Sequence, residues 1–429
     1  MCGIVLVKGI EQAKRMLSVL AHRGKDAREI CEVGKSGWFV GQNRLQIYGG
    51  VTARQPLVTN FGLTVTTFNG EIFNIKELGE LGYNGSEVQV IENLMREHGE
   101  FDRLLDGYYG IIRAVAYAPT APLIKVTISR DLLGVIPLYF KIEKDSLVAV
   151  ASERKAFEGQ GGVREVRAGE TISFYGVGHS SRIFDPYSLH LEDMDLEHLE
   201  FLFKRAVKRR VTHSEVPVTV ALSGGLDSGL VLWACAQLRL NVDAITVGLD
   251  PESDEVRNAE KIAKLAGVPW KFVQLAMDVV DEEKEKILYH LEDYTENPIK
   301  WRGMLRNYYV AKNASGTVIL CGEGADEIGC GYPSHQKLGN SLGLEWKALS
   351  TIRSMPAINL DRVNKGGMAW TKEFRTPFLD RALVLYMLSC RKKVGKEYFR
   401  ELARKMGVPN FVIEKEKYGL EEKVLEALR

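Results

Sequence analysis

From the amino terminus to about residue 185, short apolar runs alternate with turns. Ile4–Val7, Gly37–Val40, Leu63–Phe68, Tyr109–Tyr117, Leu123–Ile128, Leu147–Ala151 and Thr171–Phe174 are alternating or β-branched and predict strands. Two stretches, near residues 10–21 and 87–98, read as helices. Many strands with few intervening helices argue for an α+β unit rather than a βαβ repeat. Residues 176–195 read as a linker, with Gly, Ser and His, an Asp185-Pro186 turn signal and then an acidic run.

Beyond residue 195 the pattern changes. Val216–Leu222 is a continuous apolar run of the kind a buried parallel strand requires. A Gly-rich turn follows it, then an apolar helix over about 228–240, a strand at Asp243–Val247, a helix near 255–266 and a strand at Lys271–Leu275. Helices through 278–313 lead to a strand at Thr317–Leu320 and a second Gly-rich turn. This alternation predicts an open parallel α/β sheet with ligands at the carboxyl ends of its strands. From residue 340 onward the chain reads as helical, with no strand. The two halves predict domains at 1–185 and 186–429.

Composition narrows the classes. The chain has 429 residues, enough for two or three domains. With 57 Lys+Arg against 56 Asp+Glu, no broad basic surface for nucleic acid is expected. No apolar run approaches the roughly 20 residues of a membrane helix. Lys8, Lys14 and Arg15 interrupt the first apolar stretch, so no signal peptide is expected. The six cysteines are scattered without a CxxC pair, which suggests neither a zinc site nor a disulfide framework and fits a reducing cytoplasm.

Three segments carry candidate chemistry. Cys2 has only Met1 before it; once Met1 is removed, one residue holds both a thiol nucleophile and an α-amine able to act as its base. Ser223-Gly224-Gly225-Leu226-Asp227-Ser228 lies between a predicted strand and helix. Its glycines let backbone N–H groups converge on an anion, the helix adds its positive end, and Asp227 is placed to hold Mg²⁺. It lacks the lysine of a GxxxxGK[ST] loop. Cys321-Gly322-Glu323-Gly324-Ala325-Asp326-Glu327 follows another predicted strand, so Asp227 and Asp326 are expected to share metal ions on ATP phosphates. Glu323 is left as a base or electrostatic group.

Taken with further segments, these motifs resemble the glutamine-dependent asparagine synthetase family nearly end to end. In the first domain the segments are Met1-Cys2-Gly3-Ile4, His22-Arg23-Gly24-Lys25-Asp26, Asn43-Arg44-Leu45, Gln55-Pro56-Leu57, Asn69-Gly70-Glu71-Ile72-Phe73-Asn74, Arg130-Asp131-Leu132-Leu133-Gly134 and Ala151-Ser152-Glu153. In the second they are Ser223–Ser228, Gly322–Glu327, Arg375-Thr376-Pro377-Phe378-Leu379-Asp380 and Lys417-Tyr418-Gly419. The resemblance implies an N-terminal-nucleophile αββα glutaminase sandwich followed by an ATP-pyrophosphatase-type synthetase domain with a helical C-terminal part. It implies Cys2 as nucleophile, Asn69 and Gly70 as oxyanion donors, and a glutamine pocket of Arg44, Leu45, Ile47, Asn69, Gly70, Glu71 and Glu87. ATP would meet Leu222, Ser223, Gly224, Gly225, Asp227, Ser228, Val247, Cys321 and Gly322. Mg²⁺ would sit on Asp227 and Asp326, Glu323 would assist ammonia, and Lys417 would neutralise phosphate charge. Glutamine, ATP and a carboxylate acceptor, aspartate in the family, are the implied substrates. A homodimer is implied by analogy, as is an internal passage for ammonia.

The chain departs from the pattern in three places. Ser86-Glu87 stands where the family usually has Ser-Asp, which keeps the charge but shifts it by about one bond length. Asn297-Pro298-Ile299-Lys300 replaces Thr-Thr-Ile-Arg in a segment expected to be a loop, and Lys is not equivalent to Arg at a bidentate anion site. Ile328-Gly329-Cys330-Gly331-Tyr332 lacks the usual Phe and one Gly. The alternative these changes leave open is the same glutaminase and adenylating chemistry on another carboxylate.

Overall fold

Strand alternation sets the architecture of the first half. In the computed structural model Ile4 and Leu6 join one apolar cluster, while Val5 and Val7 join another on the opposite face. The structure describes residues 1–50, 53–100, 104–119, 123–159, 161–176, 178–187, 192–293, 298–339 and 341–414. These form two compact units, Met1–Asp185 and Pro186–Arg429.

The first unit contains β1 (Gly3–Lys8), α1 (Ile10–Val19), β2 (Ala27–Glu32), β3 (Trp38–Arg44), β4 (Leu57–Thr59), β5 (Thr64–Ile72), α2 (Ile75–Glu80) and α3 (Glu87–His98). It continues with β6 (Gly107–Ala116), β7 (Ile124–Arg130), β8 (Tyr139–Glu143), β9 (Ser146–Ala151), β10 (Val163–Glu165), β11 (Glu170–Tyr175) and β12 (His179–Ile183). They make two antiparallel six-stranded sheets, ordered β10-β8-β9-β1-β3-β2 and β12-β11-β7-β6-β5-β4. Ile4, Leu6 and Val40 of one sheet meet Val65, Ile112 and Ile128 of the other in a central core. Val5 and Val7 pack on Ala13, Met16 and Leu17 of α1, and Phe68 and Ile72 pack on Val88, Ile91 and Leu94 of α3. The layers are therefore helix, sheet, sheet, helix, as the resemblance implies. Cys2 shares the inner face with Ile4 and Leu6. One expectation is corrected: part of the supposed linker is β12, whose residues are all exposed, so no apolar alternation marks it.

The second unit opens with α4 (Leu196–Thr212), which Asp195 caps by accepting the Glu197 and His198 N–H groups. Then come β13 (Val218–Ala221), α5 (Leu226–Gln237), β14 (Asp243–Gly248), α6 (Asp254–Ala266), β15 (Trp270–Gln274), α7 (Met277–Leu291), α8 (Pro298–Asn313) and β16 (Val318–Leu320). The sheet is parallel, ordered β15-β14-β13-β16-β17. Strand order runs one way from β13 to β15 and the other way through β16, which makes the β13/β16 boundary a switch point where open sheets bind ligands. The fifth strand, β17 (Glu373–Arg375), corrects the expectation of no strand after 340. It is short and charged but buried, because Arg375 donates to Glu373 at 2.7 Å and to the carbonyls of Arg210 and His213. Residues 298–300 begin α8, as the helical reading of 278–313 has it and not as the loop reading of 297–300 does; Asn297 lies outside the described residues.

Candidate active sites

Cys2 stands just ahead of β1, where its N–H donates to Asn69 Oδ1 at 2.6 Å. Asn69 has thereby committed its oxygen, and its Nδ2 is buried without a hydrogen-bond partner among the described residues. A buried amide donor left open in this way is costly unless a ligand takes it. Gly70 follows with φ of +143°, and a Cβ there would run into the Tyr108 carbonyl oxygen, so only glycine lets the strand turn here.

Beside this pair lies a shallow recess open to solvent. Cys2, Arg44, Leu45, Gly70, Glu71 and Glu87 are among its lining residues, with Ile47 and Tyr48 beside them. Arg44 is buried at the end of β3 and donates to the Gly50 carbonyl at 2.7 Å. Glu87 is the first residue of α3, after a Ser86/Gln89 capping box, and accepts the Ile72 N–H at 2.6 Å. The recess is thus lined by one guanidinium and two carboxylates, a set of charges that suits an α-amino acid. Burial pushes the Cys2 thiol above its ordinary range despite the amino-terminal ammonium nearby. At neutral pH it is a thiol, and it needs a base.

Five titratable residues that carried no assigned role anchor this site. Arg23 is buried, donates to the Cys2 carbonyl at 2.9 Å, and pairs with Glu153 at 2.6 Å. His22 and Lys155 also contact Glu153, at 3.0 and 2.6 Å. Burial would raise the Glu153 pKa, but His22, Lys155 and Arg23 together hold it well below the usual carboxylate range. Asp131 accepts the N–H groups of Val135 and Ile136 and so closes the turn after β7.

In the second unit the two Gly-rich turns follow β13 and β16, the strands flanking the switch point. Ser228 Oγ accepts the Ser223 N–H at 3.0 Å and bonds Ser223 Oγ at 2.9 Å, which folds the turn over the first residues of α5. Gly224 has φ of +70°, and a Cβ there would collide with the Glu255 carbonyl oxygen of α6. Gly225 caps α5 without a side-chain bond, so the helix presents its positive end at the turn. A Cβ on Gly322 would lie 2.8 Å from Asp227 Cβ, so glycine there brings the two turns together. Leu222, just after β13, and Val247 of β14 are both buried, with the Leu222 N–H donating to the Ile245 carbonyl. Cys321 is buried, and burial pushes its thiol up to about 12.

Asp227 and Asp326 converge on one cation. Lys396 Nζ is 2.8 Å from both oxygens of Asp227 and 3.0 Å from Oδ1 of Asp326. Burial disfavours the ammonium, but the two carboxylates, Asp227 first, outweigh it and raise the Lys396 pKa. Two carboxylates that hold one positive charge between them are a donor set suited to Mg²⁺. Lys396 lies 169 residues from Asp227, and no local pattern marks it.

Glu323 belongs to a second network. Arg362 donates to it at 2.9 Å, as does Asn359 Nδ2 at 2.9 Å; the same Asn359 nitrogen is 2.8 Å from Glu327, which accepts the Tyr332 hydroxyl at 2.5 Å. Burial opposes ionisation of Glu323, yet Arg362 and then Arg306 hold its carboxyl below the ordinary range. Burial, with Glu323 and Asp326 close by, pushes Glu327 up to about 7. Sequence reasoning found Glu323 but missed Asn359, Arg362 and Tyr332. The Arg375–Asp380 motif proves to be scaffold: Asp380 pairs with buried Arg210 of α4 at 3.0 Å. Lys417 lies outside the described residues.

Comparison with known proteins matches this division. The model of the asparagine synthase family covers residues 198–356 and 342–429, and that of the glutamine amidotransferase domain covers residues 1–188. Asparagine synthetase [glutamine-hydrolyzing] 2 of Lotus japonicus is 29% identical over 424 residues, spanning 90% of this chain and 69% of its own length. The asparagine synthetase [glutamine-hydrolyzing] of Sandersonia aurantiaca is 29% identical over 429 residues, 91% of this chain and 78% of that protein. That of Asparagus officinalis is 30% identical over 413 residues, 89% of this chain and 68% of that protein. With glutaminase-like and nucleotide-binding geometry in successive units, the chain belongs to the asparagine synthase family.

Proposed function

We propose that this protein makes asparagine from aspartate, taking nitrogen from glutamine and driving the step with ATP. The observation that carries the reading is the Cys2–Asn69 pair, which leaves a buried amide donor beside a recess lined by Arg44, Glu71 and Glu87, charges that suit an amino acid. Removal of Met1 creates the Cys2 α-amine. That amine accepts the thiol proton as sulfur attacks the glutamine amide carbon, then returns it to the departing ammonia. Asn69 Nδ2 and the Gly70 N–H receive the oxyanion. Arg44 pairs with the α-carboxylate, and Glu71 and Glu87 hold the α-amine. Water hydrolyses the thioester to glutamate.

In the second unit the Ser223–Ser228 turn and Gly322 receive the ATP phosphates. Leu222, Val247 and Cys321 flank the nucleoside. The aspartate β-carboxylate attacks the α-phosphorus, releasing pyrophosphate and forming β-aspartyl-AMP. Ammonia attacks the acyl carbon and AMP departs. Glu323, held ionised by Arg362, is available to take the proton that the attacking nitrogen loses. Asp227 and Asp326 are the residues that would hold Mg²⁺, which shields phosphate charge when bound with the nucleotide. Lys417 would add positive charge at the phosphates. Pyrophosphate release across a panel of amino and carboxylic acids tests the acceptor: aspartate stimulates it, and stimulation by another carboxylate alone overturns the assignment.

A further inference from the structure

We propose that Lys396 is a resident counter-ion that keeps free divalent cations off Asp227 and Asp326 until a nucleotide arrives. The inference rests on reading the Ser223–Ser228 and Cys321–Glu327 turns as a nucleotide site. Its starting point is that the Lys396 ammonium already bridges both carboxylates, at 2.8 and 3.0 Å.

The bridge is built rather than incidental. Lys396 is only 8% exposed and has φ of +60°, a strained backbone for a lysine. Two backbone bonds clamp it there: its N–H donates to the Gly329 carbonyl at 2.9 Å, and the Gly395 N–H donates to the Cys330 carbonyl at 3.0 Å. Cys330 is itself in the left-handed region, at φ of +56°. Gly331 completes the seat: a Cβ there would collide with Asp326 Oδ1 and lie 3.0 Å from both Cγ and Cε of Lys396. The segment after the second Gly-rich turn is therefore shaped around the lysine stem.

Charge arithmetic gives the consequence. Two half-buried carboxylates and one buried ammonium sum to −1. A divalent cation arriving alone must displace an ammonium that donates to both carboxylates, or sit beside it, and like charges repel strongly at low dielectric. A polyphosphate changes the balance. Its oxygens offer the ammonium new acceptors, and its charge offsets both cations. Metal and nucleotide then bind as a coupled pair, and the coupling is reciprocal.

The test is Mn²⁺ binding to the full-length protein, followed by electron paramagnetic resonance without turnover. Wild-type protein is expected to bind Mn²⁺ weakly alone and tightly with α,β-methylene ATP. Lys396→Gln should bind Mn²⁺ alone roughly 10–100-fold more tightly than wild type, and Asp227→Asn added to Lys396→Gln should remove the gain. Lys396→Arg, which keeps the charge, should exclude Mn²⁺ as wild type does. Equal Mn²⁺ affinity in wild type and Lys396→Gln, with the analogue still bound, overturns the counter-ion role and leaves the nucleotide site standing. Failure of wild type to bind the analogue at all overturns the nucleotide reading, and this inference with it. Independently of any variant's folding, tight binding of Mn²⁺ to wild type alone, at a site that Asp227→Asn removes, contradicts the proposal.

Discussion

Asn69 binds the Cys2 N–H through its side-chain oxygen, so the orientation of its amide is set by the residue it would assist. The nitrogen of that amide is the open donor. Asn69→Ala is therefore expected to lower glutaminase kcat by roughly 10²–10³, about 2.7–4 kcal/mol, as loss of one oxyanion donor does elsewhere. Synthesis from added ammonia should be unchanged. A steady-state comparison of the two nitrogen sources checks this, and equal losses with both would place Asn69 outside the glutaminase step.

Cys2→Ala should abolish glutamine-dependent synthesis and preserve ammonia-dependent synthesis. The same logic demands that Met1 be absent from active protein, because the Cys2 nitrogen is otherwise a peptide N–H with no basicity. Intact-mass measurement checks the processing. Full glutaminase activity in protein that retains Met1 contradicts the amine as base.

The residues of the first site were legible through their motifs and the family resemblance those motifs carry, not through strand periodicity. Alternation accounts for only one part of the arrangement, since Cys2 shares the inward face of Ile4 and Leu6, while Arg44 and Glu71 reach the recess from β3 and β5. The second site was legible only in its local turns. Lys396 and Arg362 reach Asp227 and Glu323 from distant segments, and no periodicity announces a contact across 169 residues. β17 was missed for a related reason: its Glu and Arg look solvated in sequence but satisfy each other and backbone carbonyls when buried. β12 has no buried face to leave a trace.

Glu153 links its pKa to stability. Its folded pKa is depressed, so its contribution is present above the unfolded value near 4.5 and is lost as pH falls below that value and through the lower folded one. Glu153→Gln strands Arg23 without its carboxylate and should destabilise by about 3–5 kcal/mol at neutral pH. The difference from wild type should shrink as pH drops below 4.5. Denaturant melts at several pH values check both, and a pH-independent difference contradicts the linkage.

Gly224→Ala meets both a left-handed backbone and the Glu255 carbonyl. Strain of about 1–3 kcal/mol is expected at the turn. ATP-dependent pyrophosphate release should fall by about tenfold or more, at 1.4 kcal/mol per decade. Glutamine hydrolysis without ATP should persist. Loss of both activities in folded protein would contradict separate sites.

The most direct measurement combines the two halves in one reaction. Purified protein is incubated with amide-¹⁵N glutamine, aspartate and MgATP, and the products are weighed by mass spectrometry alongside pyrophosphate and AMP. The expected result is asparagine carrying ¹⁵N, formed in equal amount with pyrophosphate and abolished in Cys2→Ala. Glutamate and ¹⁵N-ammonia without labelled asparagine, or pyrophosphate release indifferent to aspartate, would contradict it.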